Sequence, residues 1–109
     1  MTAPLYLLKA EFFKTLGHPA RIRVLELLSG GEQSVTQLQQ DVGLESSHLS
    51  QQLAVLRRAG LVGTRKQGTQ VFYVLAAPEV ADLLALSRHI LTDVLTGQVA
   101  VLEDLRTTS

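Results

Sequence analysis

Residues 45–61 read ESSHLSQQLAVLRRAGL: small polar residues, then leucines spaced among Ser, His, Gln and Arg, with a glycine near the end. At about 100° per residue, Leu53 and Leu56 fall within about 40° of Leu49, and the three make one apolar stripe. Ser47, Gln51 and Arg58 lie almost opposite, with Ser50 and Arg57 flanking one side of the polar face and His48 the other. After Glu45 the stretch contains no acid. Such a helix buries its leucines and turns hydroxyls, amides and guanidinium groups outward. A major groove accepts this chemistry, because Ser and Gln can bond base edges and Arg can take guanine or phosphate, whereas a carboxylate would be repelled. A polar helix face is more commonly just solvated, so the flanking sequence has to decide.

On the N-terminal side, Ser34 is placed to cap a short helix carrying Val35, Leu38 and Val42, which Gly43 ends. Ser46 or Ser47 is then expected to cap the quoted helix. A short helix, a tight glycine turn and a capped second helix make a helix-turn-helix. In that motif the N-terminal part of the second helix reaches the bases, here Ser46, Ser47, His48, Ser50 and Gln51. On the C-terminal side, Gly60 stops the helix and the period changes. Residues 61–66 and 69–75 are rich in β-branched and aromatic residues, and Gln67-Gly68 between them predicts a β-hairpin. A hairpin in this place is the wing of a winged helix. Arg65, Lys66, Gln67 and Thr69 surround its tip, suited to a phosphate row or the minor groove. With Arg57 and Arg58 they complete the candidate DNA-binding set.

Further out, Leu5, Leu8, Phe12 and Leu16 stand at helical spacing. Gly17-His18-Pro19 breaks the chain and restarts it, His18 helping to start a helix that runs to about Leu28 and ends at Gly30-Gly31. Pro78 opens a final long helix through Leu95, with two endings open: a stop before Gly97, or a continuation past it to Leu105. The expected fold is mainly α with a small β-hairpin, a winged helix-turn-helix in the order ααααββα. Residues 1–109 are expected to form a single domain. The last helix carries Val80, Leu84, Ser87, Leu91 and Val94 on one stripe and Leu83, Leu86 and Ile90 on another. One face can cover its own domain, and the second needs a second copy of the chain.

Formal net charge is zero, but its distribution is uneven. Residues 1–45 carry four bases against five acids, residues 79–109 two against five, and residues 46–78 four bases and no acid. The positive charge therefore sits in the segment holding the quoted helix and the wing. The absence of cysteine excludes disulfides, thiolate metal sites and thiol switches. No signal peptide and no apolar run long enough to cross a bilayer is present, so a cytoplasmic protein with no membrane partner is expected. No Gly-rich phosphate loop or metal-hydrolase motif occurs. The Ser and His of SSHLS are neighbours on one helix and do not face each other as a nucleophile and base must, so no catalytic residue is expected.

The segments LGHPARIRVLELL, SSHLSQQLAVLRRAGLV and RKQGTQVFYVL together resemble the ArsR/SmtB family of bacterial winged-helix repressors, over roughly residues 5–95. The resemblance implies a cytoplasmic homodimer bound to an imperfect palindromic operator, with its first and last helices at the dimer interface. The interface residues would be Leu5, Leu8, Phe12, Val80, Leu84, Ser87, Leu91 and Val94. Two-fold symmetry would set the two recognition helices roughly 34 Å apart, in successive major grooves.

Many family members sense a metal through a cysteine pair at the start of the third helix, where this chain has Ser34 and Thr36, poor ligands for soft metals. A second family site, Asp-x-His with two later ligands, would begin at Asp82 and fall on Leu84, Leu95 and Gln98. Neither pattern is present. Asp82, His89 and Asp93 share a helical stripe and are the residual candidate for Ni or Zn at a non-standard site, against the plain reading of an exposed polar stripe. Three modes of regulation stay open: a first-row metal, a small organic inducer or partner protein at the dimer cleft, or no inducer of its own. A winged helix used only for protein–protein contact is the rival reading; it calls for an apolar or acidic face where residues 46–58 show neither.

Overall fold

The computed structural model describes residues 3–108, so Met1, Thr2 and Ser109 of the expected 1–109 domain lie outside the described residues. Helices α1 (Leu5–Leu16) and α2 (Pro19–Ser29) are followed by strand β1 (Gln33–Ser34) and helices α3 (Val35–Val42) and α4 (Ser46–Arg58). Strands β2 (Val62–Gln67) and β3 (Gln70–Leu75) and the helix α5 (Glu79–Thr108) complete the chain. The mainly α winged helix-turn-helix expected from the sequence is the observed fold.

Helix α2 is the hub, packing against α1, α3, α4, α5 and β3. It starts where His18 Nδ1 accepts a hydrogen bond from the Ala20 amide at 3.1 Å, with Pro19 in the first turn. Val24, Leu25 and Leu28 from α2 meet Leu38 of α3, Leu49, Leu53 and Leu56 of α4, and Leu61 and Val62 at the entry to β2. Each such side chain contributes roughly 1.5–3 kcal/mol by leaving water. The three α4 leucines are 1%, 2% and 0% exposed, so the apolar stripe of the quoted segment is the face that docks α4 on the domain.

Helix α3 begins with a reciprocal capping box: Ser34 Oγ accepts from the Gln37 amide at 3.2 Å, and Gln37 Oε1 accepts from the Ser34 amide at 3.1 Å. Gly43, at φ +75°, ends it in the left-handed conformation that a tight turn into α4 requires. The start of α4 differs from expectation. Its N-cap is Glu45, with no side-chain cap hydrogen bond, and Ser46 and Ser47 lie inside the first turn, exposed.

The sheet has three antiparallel strands in the order β1-β3-β2. The two-residue β1, pairing Gln33 with Tyr73 and Ser34 with Phe72, was not anticipated, since two residues carry no periodicity. The hairpin closes with Gln67 opposite Gln70, so its loop is Gly68-Thr69, one residue later than expected. Gly68 takes φ +62° at the first loop position, where a two-residue hairpin needs a positive φ.

Helix α5 runs 30 residues through Gly97, about 45 Å at 1.5 Å per residue. From Arg88 to Thr108 every residue is exposed. The radius of gyration is 17.9 Å, against about 13 Å for a compact chain of this size. The excess comes from α1 and the distal part of α5 projecting from the domain. Leu5, Tyr6, Leu8 and Phe13 of α1, and Leu86, Ile90, Leu91, Val94 and Leu95 of α5, lie exposed. One expected interface residue is corrected: Val80 is only 4% exposed and belongs to the core of its own chain. Phe12 and Leu84 also pack partly against that core, and Ser87 is half-buried with its hydroxyl donating to the Leu83 carbonyl at 2.9 Å. A helix beginning on the domain has to bury its first turn there, so the stripe changes role partway along α5.

Candidate nucleic-acid interface

The outer face of α4 presents Ser46, Ser47, His48, Ser50, Gln51, Arg57 and Arg58, all exposed. The hydroxyls and the amide sit in the N-terminal half, and the two arginines in the last turn, where they also oppose the negative end of the helix dipole. His48 leans toward α2 and lines a shallow hollow with His18, Arg23, Val42 and Leu44. Lys66, Gln67 and Thr69 are exposed around the hairpin tip.

Arg65 is exposed too, but it is engaged. Its Nε donates to Glu32 Oε2 at 3.1 Å, and its Nη2 donates to Glu32 Oε1. Nη1 donates to Gln67 Oε1 at 3.1 Å, and the guanidinium carbon lies 4.9 Å from the centroid of the Phe72 ring. The Arg65 hydrogen bonds hold the Glu32 carboxyl below the usual carboxylate range, and the same bonds raise the guanidinium further. The acid-free count over residues 46–78 did not foresee this. Glu32 stands 33 residues away in sequence, and the pairing of β1 with β3 brings it to the wing.

Sequence reasoning also passed over Gln52. It is 8% exposed, on the core side of α4, where its Oε1 accepts from Arg21 Nη1 at 3.1 Å. Arg21 Nε donates to the Thr15 carbonyl at 2.7 Å. The signal was available: on the helical wheel Gln52 falls about 60° from Leu49, on the buried flank.

Among the described residues no group of three His, Cys, Asp or Glu side chains is placed to hold a metal ion. Asp82, His89 and Asp93 lie exposed along α5. Asp82 and His89 are two turns apart, about 10.5 Å along the axis, too far to share one ion within a chain. Among the described residues no helix is long and apolar enough to cross a membrane.

The model of the arsR family of bacterial regulatory proteins matches residues 18–64, from the start of α2 into β2. The chain is 64% identical over 104 residues to the HTH-type transcriptional regulator Rv0081 of Mycobacterium tuberculosis, covering 94% of this chain and 91% of that one. The crystal structure of Rv0081 matches with a TM-score of 0.83 at 60% identity, covering 90% of this chain and 99% of that one. A biofilm growth-associated repressor of Agrobacterium fabrum is 45% identical over 75 residues, 69% of this chain and 64% of its own. The solution structure of a homodimeric winged helix-turn-helix DNA-binding domain from Mycobacterium bovis matches with a TM-score of 0.75 at 32% identity, covering 84% of each chain. An exposed, carboxylate-free helix face beside a wing, and relatives of this closeness, lead to one assignment: the chain belongs to the ArsR family of bacterial winged helix-turn-helix proteins and is a DNA-binding transcriptional regulator, not an enzyme.

Proposed function

We propose that the protein is a homodimeric repressor that binds an imperfect palindromic operator in the cytoplasm, the α4 helices of the two copies entering successive major grooves. The observation that carries this reading is a pair of faces on one small domain. One is the polar face of α4, with Ser46, Ser47, Ser50 and Gln51 exposed and no acid among residues 46–58. The other is the exposed apolar surface of α1 and α5, including Leu5, Leu8, Leu91 and Val94. The first fits base edges and phosphates. The second exposes large apolar side chains along two helices, the kind of surface that a two-fold partner covers. The named repressor and the homodimeric domain among the relatives support both halves.

Ser46, Ser47, His48, Ser50 and Gln51 form the base-reading set, and Arg57, Arg58, Lys66, Gln67 and Thr69 the backbone set, joined by Arg65 once it leaves Glu32. Within one chain only His89 and Asp93 stand at the i, i+4 spacing that could share an ion, so a metal inducer would need further ligands from the second copy, whereas an organic inducer or a partner protein at the dimer cleft would not. An apolar groove of about 400 Å³ between α1, α2 and α5, with Phe13, Ile22, Leu83 and Leu91 in its walls, is where such a ligand and the second copy would meet. The test is to sequence the genomic DNA fragments retained by the purified protein, with and without Ni, Zn and Co. Recovery of one inverted repeat, indifferent to metal, is expected. Fragments without a shared motif would remove the operator reading, and a metal-dependent set would restore a metal inducer.

A further inference from the structure

Arg21 joins three helices through one side chain. It belongs to α2, its Nε bonds the Thr15 carbonyl in the last turn of α1 at 2.7 Å, and its Nη1 bonds Gln52 of α4 at 3.1 Å. The carbonyls of a helix's last turn have no partner within the helix, so Thr15 offers an acceptor that α1 does not use itself. Gln52 is 8% exposed and lies between Gln51, which faces outward, and Leu53 in the core. The guanidinium is planar and its donors are fixed in a fork, so two acceptors held by one fork are held at a set angle.

The leucine stripe of α4 fixes which face is buried, but apolar contact has no direction and leaves the helix free to roll or slide slightly on the core. A hydrogen bond has direction and weakens steeply when bent. The Arg21–Gln52 bond therefore supplies the orientational constraint that the leucines lack. Its other anchor is α1, whose exposed Leu5, Tyr6, Leu8 and Phe13 belong to the surface assigned above to the second copy.

We propose that Arg21 is a positioning residue that sets the angle between the dimer-forming helix α1 and the recognition helix α4, and thereby the half-site spacing the dimer accepts. This rests on the dimeric operator reading. The link runs through the Arg21 and Gln52 side chains and the Thr15 backbone carbonyl, and through it a shift at the dimer face reaches α4 directly.

The experiment is a binding selection on a DNA library in which two inverted half-sites are separated by every spacing across one helical turn. Wild type, Arg21→Met, Gln52→Leu, the double variant and Gln52→Glu are compared. Wild type should favour one spacing. Arg21→Met should keep the base preference within each half-site but lose spacing selectivity, falling about tenfold or more at the favoured spacing and within about twofold elsewhere, because simultaneous engagement of two sites depends on geometry. Gln52→Leu, close to volume-conserving at a buried position, should do the same, so the test survives if Arg21→Met fails to fold. The double variant should be no worse than the weaker single one. Gln52→Glu retains an acceptor for Arg21 and should retain selectivity. Folded variants that keep the wild-type spacing profile, or lose affinity equally at every spacing, would overturn the proposal. Wild type that ignores spacing altogether would sink the dimeric operator reading along with it, whereas a spacing-selective wild type with unaltered variants sinks the Arg21 role alone.

Discussion

Glu32, in the turn after α2, grips Arg65 of the wing through two hydrogen bonds, with the guanidinium resting over Phe72. The grip is exposed and hence weak enough for a phosphate to compete with. On a DNA complex it leaves a choice: Arg65 stays on Glu32 and adds no counterion release, or it turns to phosphate and leaves a carboxylate near the backbone. Both outcomes reduce what Arg65 gives. Lys66→Ala should therefore flatten the slope of log affinity against log salt by about one unit, and Arg65→Ala by about half a unit or less. Glu32→Gln should raise affinity on all sequences and steepen the slope by about one unit. In the Glu32→Gln background, Arg65→Ala should cost the full unit. Salt titrations of the five proteins on one operator read all of this, and equal slopes for wild type and Glu32→Gln would mean that the grip does not compete with DNA.

The same pair has a pH signature in the free protein. Arg65 depresses the Glu32 carboxyl, so its folded value lies below its unfolded one. The sign follows: the pair's stabilisation is complete above the ordinary carboxylate range and is lost as pH falls through the lower folded value. A carboxyl-detected NMR titration should show Glu32 titrating below the ordinary glutamate value, and Arg65→Ala should raise it toward that value. An unmoved Glu32 midpoint in Arg65→Ala would leave the depression without its cause.

Gln51 is exposed on the N-terminal half of α4, opposite Leu49 and Leu53. A Gln amide at such a position reads a base bidentately, and a good pair is worth about 1–3 kcal/mol of discrimination. Gln51→Ala should relax preference at one operator position in each half-site and leave the salt slope unchanged. Binding-site selection with the variant checks this, and an unaltered base preference would take Gln51 out of the reading set.

What was legible in the sequence is what periodicity and turn chemistry encode. Leu49, Leu53 and Leu56 announced the buried face of α4, Gly43 and Gly60 its surroundings, and the shift to β-branched residues after Gly60 the wing. Contacts between residues far apart in sequence were not legible. Strand β1 is too short to show a period, and without it nothing placed Glu32 beside Arg65. Arg21 and Gln52 each resemble an ordinary polar position on a helix; only the packing of α2 on α4 makes them a pair. Ser46 and Ser47 failed as caps because the chain enters the helix one residue earlier, at Glu45. Their hydroxyls stay exposed on the outer face as a result.

Val80 and Leu91 sit on one helix and were read as one stripe, yet they differ in kind: Val80 is 4% exposed and Leu91 58%. Val80 closes the core against Leu25, Leu28 and their neighbours, whereas Leu91 has no cover from its own chain beyond the groove it lines. A charge placed at each position separates the two roles. Val80→Asp buries a carboxylate and should cost on the order of 3 kcal/mol or more in folding stability. At about 4–8 °C per kcal/mol, that is a large fall in melting temperature. Leu91→Asp exposes its charge to water and should leave the folded protomer within about 0.5 kcal/mol of its own stability. On the dimeric reading it puts a charge from each copy into the apolar interface and drives the dimer apart. Sedimentation should then give a dimer for wild type and a folded monomer for Leu91→Asp, with affinity for a paired operator falling to that for a single half-site. A Leu91→Asp protein that remains dimeric would move the interface off this part of α5, toward Leu5 and Leu8 of α1 or the distal Val99, Leu102 and Leu105.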